Sequence, residues 1–596
     1  MSRGAASTPS PNYFIWRLIA YGRLLYVAKA ACWICFHLWP LIPGLVAKAL
    51  FDTLEGRAEL GLNVPTLAAL LVAAGLGRLG IMYGAVVTGT HLGFRLRGLL
   101  LRNLLERILR RPGGAAVPGS VGEAISTLRD DVESVDGVVD WPFDVTAAVA
   151  YAAGAFAILL SVDARVTITV FLPLAVVIAT AQFLRTRLQH YRALSREATA
   201  RVTGAIGEIF SAAQAIQVAG ARGKVVAHLQ RLGEARQRAI LREQLQDLSL
   251  DAVFGNTVNL GTGLTLLVTA SAMRAGTFTV GDFALFATYL AQVADFTLLV
   301  GYLVAMYQKT RIAFRRMVDL LQGAPPAALV AHHPVPLTGP LPDLPAPVRR
   351  AEDRLRSFEV RRLTVRHPRG GGIEDVSLRV EPGTLTVITG RVGSGKTTLL
   401  RGLLGLVEPQ TGEWYWNGRP VARPGEFLVP PRVVYVPQVP VLLSGTIREN
   451  ICLGLPCGDE QLRRAVQDSA LERDVLTFPQ GLDTVIGSRG MRLSGGQIQR
   501  TAVARALVRE AELLVFDDIS SAQDVETEQL LWRRVLARGA ACVAVSHRPA
   551  VLRQAHRIIV LDGGRVVGSG RLDELLETCA EMRELWSAAG GGAVPS

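Results

Sequence analysis

Six cysteines in 596 residues, scattered through the chain, do not make a disulfide framework. Two of them, Cys32 and Cys35, form a C-x-x-C inside an apolar stretch. No further ligand cluster is near them, so they read as small residues on a packing face rather than as a redox or metal pair. No basic run is interleaved with stacking aromatics, and this argues against nucleic acid as a partner despite a formal charge of +13. No cleavable signal peptide is evident: Met1–Pro11 is polar, and Asn12–Tyr26 reads as a short amphipathic helix at an interface. What is abundant is apolar. Hydrophobic residues make up 49% of the chain and the mean hydropathy is +0.29. That excess lies in the first half, which indicates membrane rather than an unusually greasy core. The length exceeds what one core organises, so at least two domains are expected.

Apolar stretches long enough to cross a bilayer recur six times, near residues 27–52, 64–88, 141–162, 165–187, 252–274 and 280–307. The links after the first, third and fifth are short. Those after the second and fourth are long, helical in pattern and rich in arginine, such as Arg95, Arg97, Arg102 and Arg107, then Arg185, Arg187, Arg192 and Arg196. The positive-inside bias places these long links and both termini in the cytoplasm of a multi-pass protein of the cell membrane. Two ionisable residues fall at membrane depth, Arg78 in the second stretch and Asp295 in the sixth. They are expected at similar height, facing a wet cavity and paired with each other or with a polar group of a substrate. A Pro-rich segment then follows, carrying eight prolines from Pro325 to Pro347, too many for helix or sheet. It reads as a passive spacer.

From Phe358 onward, β-rich runs alternate with helical ones, an α/β pattern. The strand Leu385–Thr389 runs straight into Gly390, Arg391, Val392, Gly393, Ser394, Gly395, Lys396, Thr397 and then a helix beginning at Thr398. This is a P-loop in its confirming context: backbone N–H groups converge on phosphate oxygens, Lys396 reaches the β- and γ-phosphates, and Thr397 ligates Mg²⁺. A second buried strand, Leu513–Asp517, ends in a carboxylate placed to hold the same ion. Between them Ser494, Gly495, Gly496 and Gln497 open a helix whose free N–H groups form another anion site.

In this order the motifs resemble the ATP-binding-cassette family, and the resemblance covers almost the entire chain. It implies a membrane all-α six-helix transmembrane domain of exporter type, followed by an α/β P-loop NTPase domain that binds ATP and Mg²⁺. The boundaries drawn are 1–26 for an N-terminal tail and interfacial elbow helix, 27–322 for the six-span domain, 323–356 for the Pro-rich linker, 357–588 for the nucleotide-binding domain and 589–596 for a flexible tail. By the same resemblance Gln438 senses Mg²⁺ and couples to the membrane domain, His547 is the switch histidine on the γ-phosphate, and Ser521–Asp524 cross a dimer interface. Two cassettes would face head to tail, with Ser494 to Gln497 acting on the partner's nucleotide. Coupling helices would fall near residues 118–128 and 206–218.

This chain departs from the family pattern at four places. Asp518 stands where a glutamate usually activates the attacking water, one methylene longer. His367 takes the place of the aromatic that stacks on adenine, Gln523 that of an interface leucine, and Ser488 that of a glutamate near the coupling helices. A weak site of its own beside an intact signature favours a heterodimer with a second half-transporter over a homodimer. The function expected is ATP-driven export of a small-molecule, lipid or peptide substrate by alternating access. The alternatives are an importer of exporter-like architecture, or an ATP-binding half with little hydrolysis. Neither a siderophore-binding domain before the first span nor an N-terminal peptidase domain is expected.

Overall fold

The protein is described from a computed structural model that covers residues 9–57, 61–111, 120–339, 349–367, 370–487, 491–519 and 524–590. The side chains of 173–189 and of stretches within 250–260 and 293–304 fall outside that description. The chain divides into two compact units, Met1–Leu104 with Pro118–Thr338, and Leu105–Val117 with Gly339–Ser596.

The first unit is helical. Its elements are α1 (Pro11–Tyr21), α2 (Arg23–Leu38), α3 (Leu41–Leu54), α4 (Val64–Arg110), α5 (Val121–Ser126), α6 (Val135–Val162), α7 (Ala164–Ser211), α8 (Ala213–Val218), α9 (Arg222–Arg274) and α10 (Val280–Leu320). Among the described residues, Arg23–Leu54, Val64–Arg110 and Val121–Val162 are long and apolar enough to cross a membrane. The 47 residues of α4 reach roughly 70 Å, more than twice a bilayer's hydrocarbon thickness. Leu70, Leu76, Leu79, Met82 and Tyr83 of this helix are all exposed, an apolar surface larger than a soluble helix leaves uncovered.

The first expected span is two helices. Pro40 interrupts it, because proline supplies no N–H to the preceding turn. The interfacial helix also ends earlier than expected, at Gly22, where a side chain would collide with Leu92 of α4. Small helices, α5 and α8, occupy the two turns where coupling helices were expected; residues 118 and 119 lie outside the described residues. The packed centre joins α6, α7 and α10. Ala148, Tyr151, Ala155 and Leu159 recur at helical spacing and meet Val166, Val170, Phe286 and Tyr289. The Tyr289 hydroxyl donates to the Leu41 carbonyl at 2.8 Å, and Cys32 lies against Gly84 of α4.

The Pro-rich segment departs from the passive spacer expected of it. Leu329 and Val330 are fully buried, and Asn103 Nδ2 donates to the carbonyls of Leu329 and Ala331 at 2.9 Å. Tyr21 and Arg102 donate to His333 and Pro334. Prolines limit this stretch to one 3-10 turn, Pro326–Val330, and the carbonyls around it remain good acceptors, so long-range side chains dock it.

The second unit holds strands β1 (Phe358–Arg366), β2 (Gly372–Val380), β3 (Leu385–Gly390), β4 (Thr411–Trp416), β5 (Arg419–Pro420), β6 (Val433–Val436), β7 (Gly445–Thr446), β8 (Val485–Ile486), β9 (Leu513–Asp517), β10 (Ala541–Val545), β11 (Arg557–Asp562) and β12 (Arg565–Gly570). The main sheet runs β12-β11-β3-β10-β9-β6, and an antiparallel sheet runs β2-β1-β4-β5. Strands β3, β9 and β10 are buried at every residue, as a parallel sheet covered on both faces requires. Alternation sorts their side chains. Leu514, Phe516, Cys542 and Ala544 enter one core, while Leu513, Val515, Val543 and Val545 enter the other.

Candidate nucleotide site

Register sets the site. Val545 of β10 pairs with Ile388 of β3 on one side and with Asp517 of β9 on the other, so the carboxyl ends of all three strands are level. What each strand leads into therefore emerges at one edge of the sheet, where ligands of open α/β sheets bind. From β3 comes the loop Gly390–Gly395, from β9 Asp517 and Asp518, and from β10 Ser546 and the exposed His547. Two backbone bonds tie the edge together, Ser546 N–H to the Ile388 carbonyl and Asp518 N–H to the Val545 carbonyl, both 3.2 Å. Gln438, two residues beyond β6, leaves the same edge and is exposed.

The glycine loop turns onto α11 (Lys396–Leu403). Gly393 and Gly395 hold φ of +87° and +99°, the left-handed region that only glycine enters freely. At Gly395 there is also no room: an added Cβ would lie 2.8 Å from the Gly372 carbonyl oxygen. Lys396 Nζ donates to the carbonyls of Gly390 and Arg391, both at 2.7 Å, so the ammonium is drawn back into its own loop. Burial pushes this ammonium below its ordinary value, against the pull of Asp518 and Asp517. A phosphate in the loop would supply the charge it lacks. Arg391 turns its guanidinium away to Glu581, at 2.8 Å, and Glu584, leaving its backbone as the part that borders the loop. Val392 is fully exposed at the tip, and Ser394 is buried with its hydroxyl unpartnered among the described residues.

Asp517 is 1% exposed and accepts from Thr397 Oγ1 and from the Tyr435 hydroxyl, each 3.2 Å away. Burial raises its carboxyl, against those two bonds, and the Tyr435 phenol is pushed up to about 12 by burial and the Asp517 charge. A hydroxyl and a carboxylate this close, in a place that disfavours a bare anion, form the oxygen donor set that a hard divalent cation takes. Thr397 and Asp517 would hold Mg²⁺, whose contribution is to neutralise phosphate charge. Asp518, next along, sits at φ +50°, a left-handed position that aspartate tolerates better than most residues.

His367 is brought to the same end of α11. Its Nε2 lies 3.1 Å from the Thr398 hydroxyl, so a flat ring stands beside the loop where a base could stack. The signature motif is elsewhere. Ser494 caps the helix Gly495–Leu507 in a reciprocal box: its hydroxyl accepts from Gln497 N–H at 3.3 Å, and Gln497 Oε1 accepts from Ser494 N–H at 2.9 Å. Gln497 also donates to Asp474, which Arg500 grips with bonds of 2.8 and 3.0 Å. The start of this helix is thus held by the Ser494–Gln497 box and, through the Gln497 side-chain amide, by Asp474. Ser521 and Gln523 of the expected interface loop, and Ser488, lie outside the described residues; Asp524 caps the helix that follows, accepting from Thr527 N–H at 2.9 Å. Arg78 stacks its guanidinium 4.6 Å from the centre of the Phe36 ring, and the Asp295 side chain lies outside the described residues.

Sequence reasoning did not single out Tyr435 or Asp474. Tyr435 carried a signal, since it precedes Gln438 on a strand beside the one that ends at Asp517. Asp474 carried none: it lies in a short helix, Glu472–Thr477, with no motif around it.

Comparisons with known proteins find likenesses over both parts of the chain. A family model described as ABC transporter matches residues 373–521, and one described as ABC transporter transmembrane region matches residues 24–295. Among curated relatives, an ATP-dependent lipid A-core flippase of Xanthomonas campestris pv. campestris is 28% identical over 487 residues, 79% of each chain. One of Bordetella avium is 26% identical over 483 residues, covering 80% of this chain and 79% of its own. A probable multidrug resistance ABC transporter ATP-binding/permease protein of Bacillus subtilis is 28% identical over 59% of this chain and 60% of its own. Among solved structures, a bacterial Atm1-family ABC exporter with ATP bound has a TM-score of 0.70 at 22% identity, covering 96% of this chain and 99% of its own.

Proposed function

Because the chain belongs to the ABC transporter family, an ATPase domain joined to a membrane domain, we propose that it is one half of a dimeric exporter that carries an amphiphile of the lipid class from the cytoplasmic side of the membrane. The ATPase is coupled to transmembrane transport. The observation that carries the reading is the level edge of β3, β10 and β9, which gathers Lys396, Thr397, Asp517, Asp518 and His547 at one place while the capped Ser494 helix stands apart. Such a chain has both parts of a nucleotide site but does not bring them together on its own. Two copies, or two related chains, facing head to tail would complete two sites, with Ser494 to Gln497 closing on the partner's phosphates.

In this reading the glycine loop and the start of α11 bind the phosphates, and Thr397, Asp517 and Gln438 hold Mg²⁺. His367 stacks on the base, Asp518 orients water, and His547 contacts the terminal phosphate. Closure is passed to the membrane domain through α5 and α8, and the termini and cassette are cytoplasmic. The lipid class is supported by the relatives matched over four fifths of the chain, and direction by the exporter fold.

The test is reconstitution into vesicles with the cassettes outward, together with a fluorescent phospholipid and a lipid A preparation. Vanadate-sensitive phosphate release with ATP-dependent loss of label from the outward leaflet is expected. Phosphate release stimulated by hydrophobic cations but not by either lipid would overturn the substrate class and leave the ATPase standing. A second reading rests on Asp518. If it positions water poorly, this chain's own site retains ATP and a partner's site turns over, which favours a heterodimer.

A further inference from the structure

Three carboxylates, Asp136, Asp140 and Asp144, recur every fourth residue along α6 and share one face of it. Each meets a cation from another helix. Asp136 pairs with Arg97 of α4, Asp140 with Lys29 of α2 at 2.6 Å, and Asp144 lies 3.6 Å from His37 of α2. Arginine and lysine carry charge at any physiological pH, but histidine does so only when protonated. Counted over these three pairs, a neutral imidazole leaves one more carboxylate than cation. The mismatch falls at the rung lying deepest within the expected spans, where an uncompensated charge costs most. Little water reaches it: the His37 and Asp144 side chains are 16% and 18% exposed.

Among the described residues, two further titratable or charged groups lie near this row, and His37 makes a contact beyond Asp144. Tyr26 of α2 lies near both Asp140 and Asp144. Arg78 of α4 is held over the Phe36 ring, one residue from His37, and has no carboxylate partner among the described residues. Asp295 of α10 lies outside the described side chains. Packing fixes the imidazole as well, since Trp33 stacks on it at 5.6 Å between ring centres and Phe36 meets it edge-on at 5.7 Å.

We propose that the His37–Asp144 pair is a proton-binding site of the membrane domain, whose proton completes the charge match between α2 and α6. Loss of that proton unlatches the deepest rung and slows the transport cycle. The experiment compares ATP hydrolysis by the full chain in vesicles across about pH 5 to 8, for wild type, H37R, H37Q and the double variant H37Q/D144N. The pH dependence of hydrolysis itself is common to all four and cancels in ratios. The ratio of wild-type to H37R activity is expected to fall by at least about fivefold toward the alkaline end, the lower limit of ordinary coupling between sites. H37Q is expected to be slow throughout, and H37Q/D144N to regain activity with a flat ratio, because removing the orphaned carboxylate restores neutrality. Parallel profiles for wild type and H37R would overturn the proposal. So would an H37Q variant as active as the double variant, the result expected if Arg78 already balanced the row. If H37R fails to fold, the ratio of wild-type to H37Q/D144N activity over the same pH range decides instead: a fall toward the alkaline end is expected, and a flat ratio would overturn the proposal.

Discussion

At the scale of single residues, the position that matters most is Asp518, where the family resemblance calls for glutamate. Its backbone is tied by the bond from its N–H to the Val545 carbonyl and holds a left-handed φ of +50°, so the backbone is not free to advance and make up the missing methylene. A carboxylate set back by about 1 Å costs on the order of 10²-fold in rate when it must orient water. Asp518→Glu is therefore expected to raise phosphate release by up to about 10²-fold, and Asp518→Asn to remove what remains, both read on reconstituted protein. Lack of any gain in the glutamate variant would mean that the aspartate is already well placed. Asp517 supplies a second expectation at this scale. Burial raises its carboxyl in the nucleotide-free protein, so the empty fold loses stability as pH rises through that value, and cation binding restores it. The acid limb of Mg²⁺-dependent nucleotide binding should accordingly lie above the ordinary aspartate range near about 3.9. Fluorescent-nucleotide titrations at stepped pH would show it.

At the scale of elements, the helix Gly495–Leu507 is held at its start by one buried knot. Asp474 accepts from Gln497 and from Arg500, whose side chain is 12% exposed against 16% for Asp474. Removing the carboxylate orphans a buried guanidinium and frees Gln497 from its second partner, at a cost of roughly 3 kcal/mol. Asp474→Ala should lower the melting temperature by roughly 6–12 °C on the scale of a domain of 150–250 residues, and should raise hydrogen exchange over the first turn of that helix. An unchanged melt would show that the ion pair is solvated in practice. The glycine loop was legible because its determinants are local: a strand, glycines and a helix in immediate succession. Asp474 was not, since its partners lie 23 and 26 residues on and are reached only through the fold. The docking of the Pro-rich segment was illegible for the same reason, because Asn103 binds carbonyls 226 and 228 residues away.

At the scale of the whole molecule, the proposed head-to-tail pairing would make the assembly the unit of activity. Native mass of the complex taken gently from its own membrane distinguishes two copies from two different chains. In a heterodimer with one weak site, Ser494→Ala should reduce hydrolysis more than Lys396→Ala, because Ser494 serves the partner's stronger site. Equal losses, with a mass of two copies, would make Asp518 a working catalytic carboxylate in a homodimer. The order of the motifs and the six apolar stretches determined the family, the two-part architecture and the identity of the phosphate loop, because each depends on composition and short spacing along the chain. The tertiary structure alone decided which side chains are already committed: Arg391 to Glu581 and Glu584, Gln497 to Asp474, and the α6 carboxylates to cations of α2 and α4. The reason is physical. A periodic run of carboxylates shows in sequence which face it occupies, but not which charges stand opposite, and at membrane depth the opposing charge decides whether the run is a cost or a site.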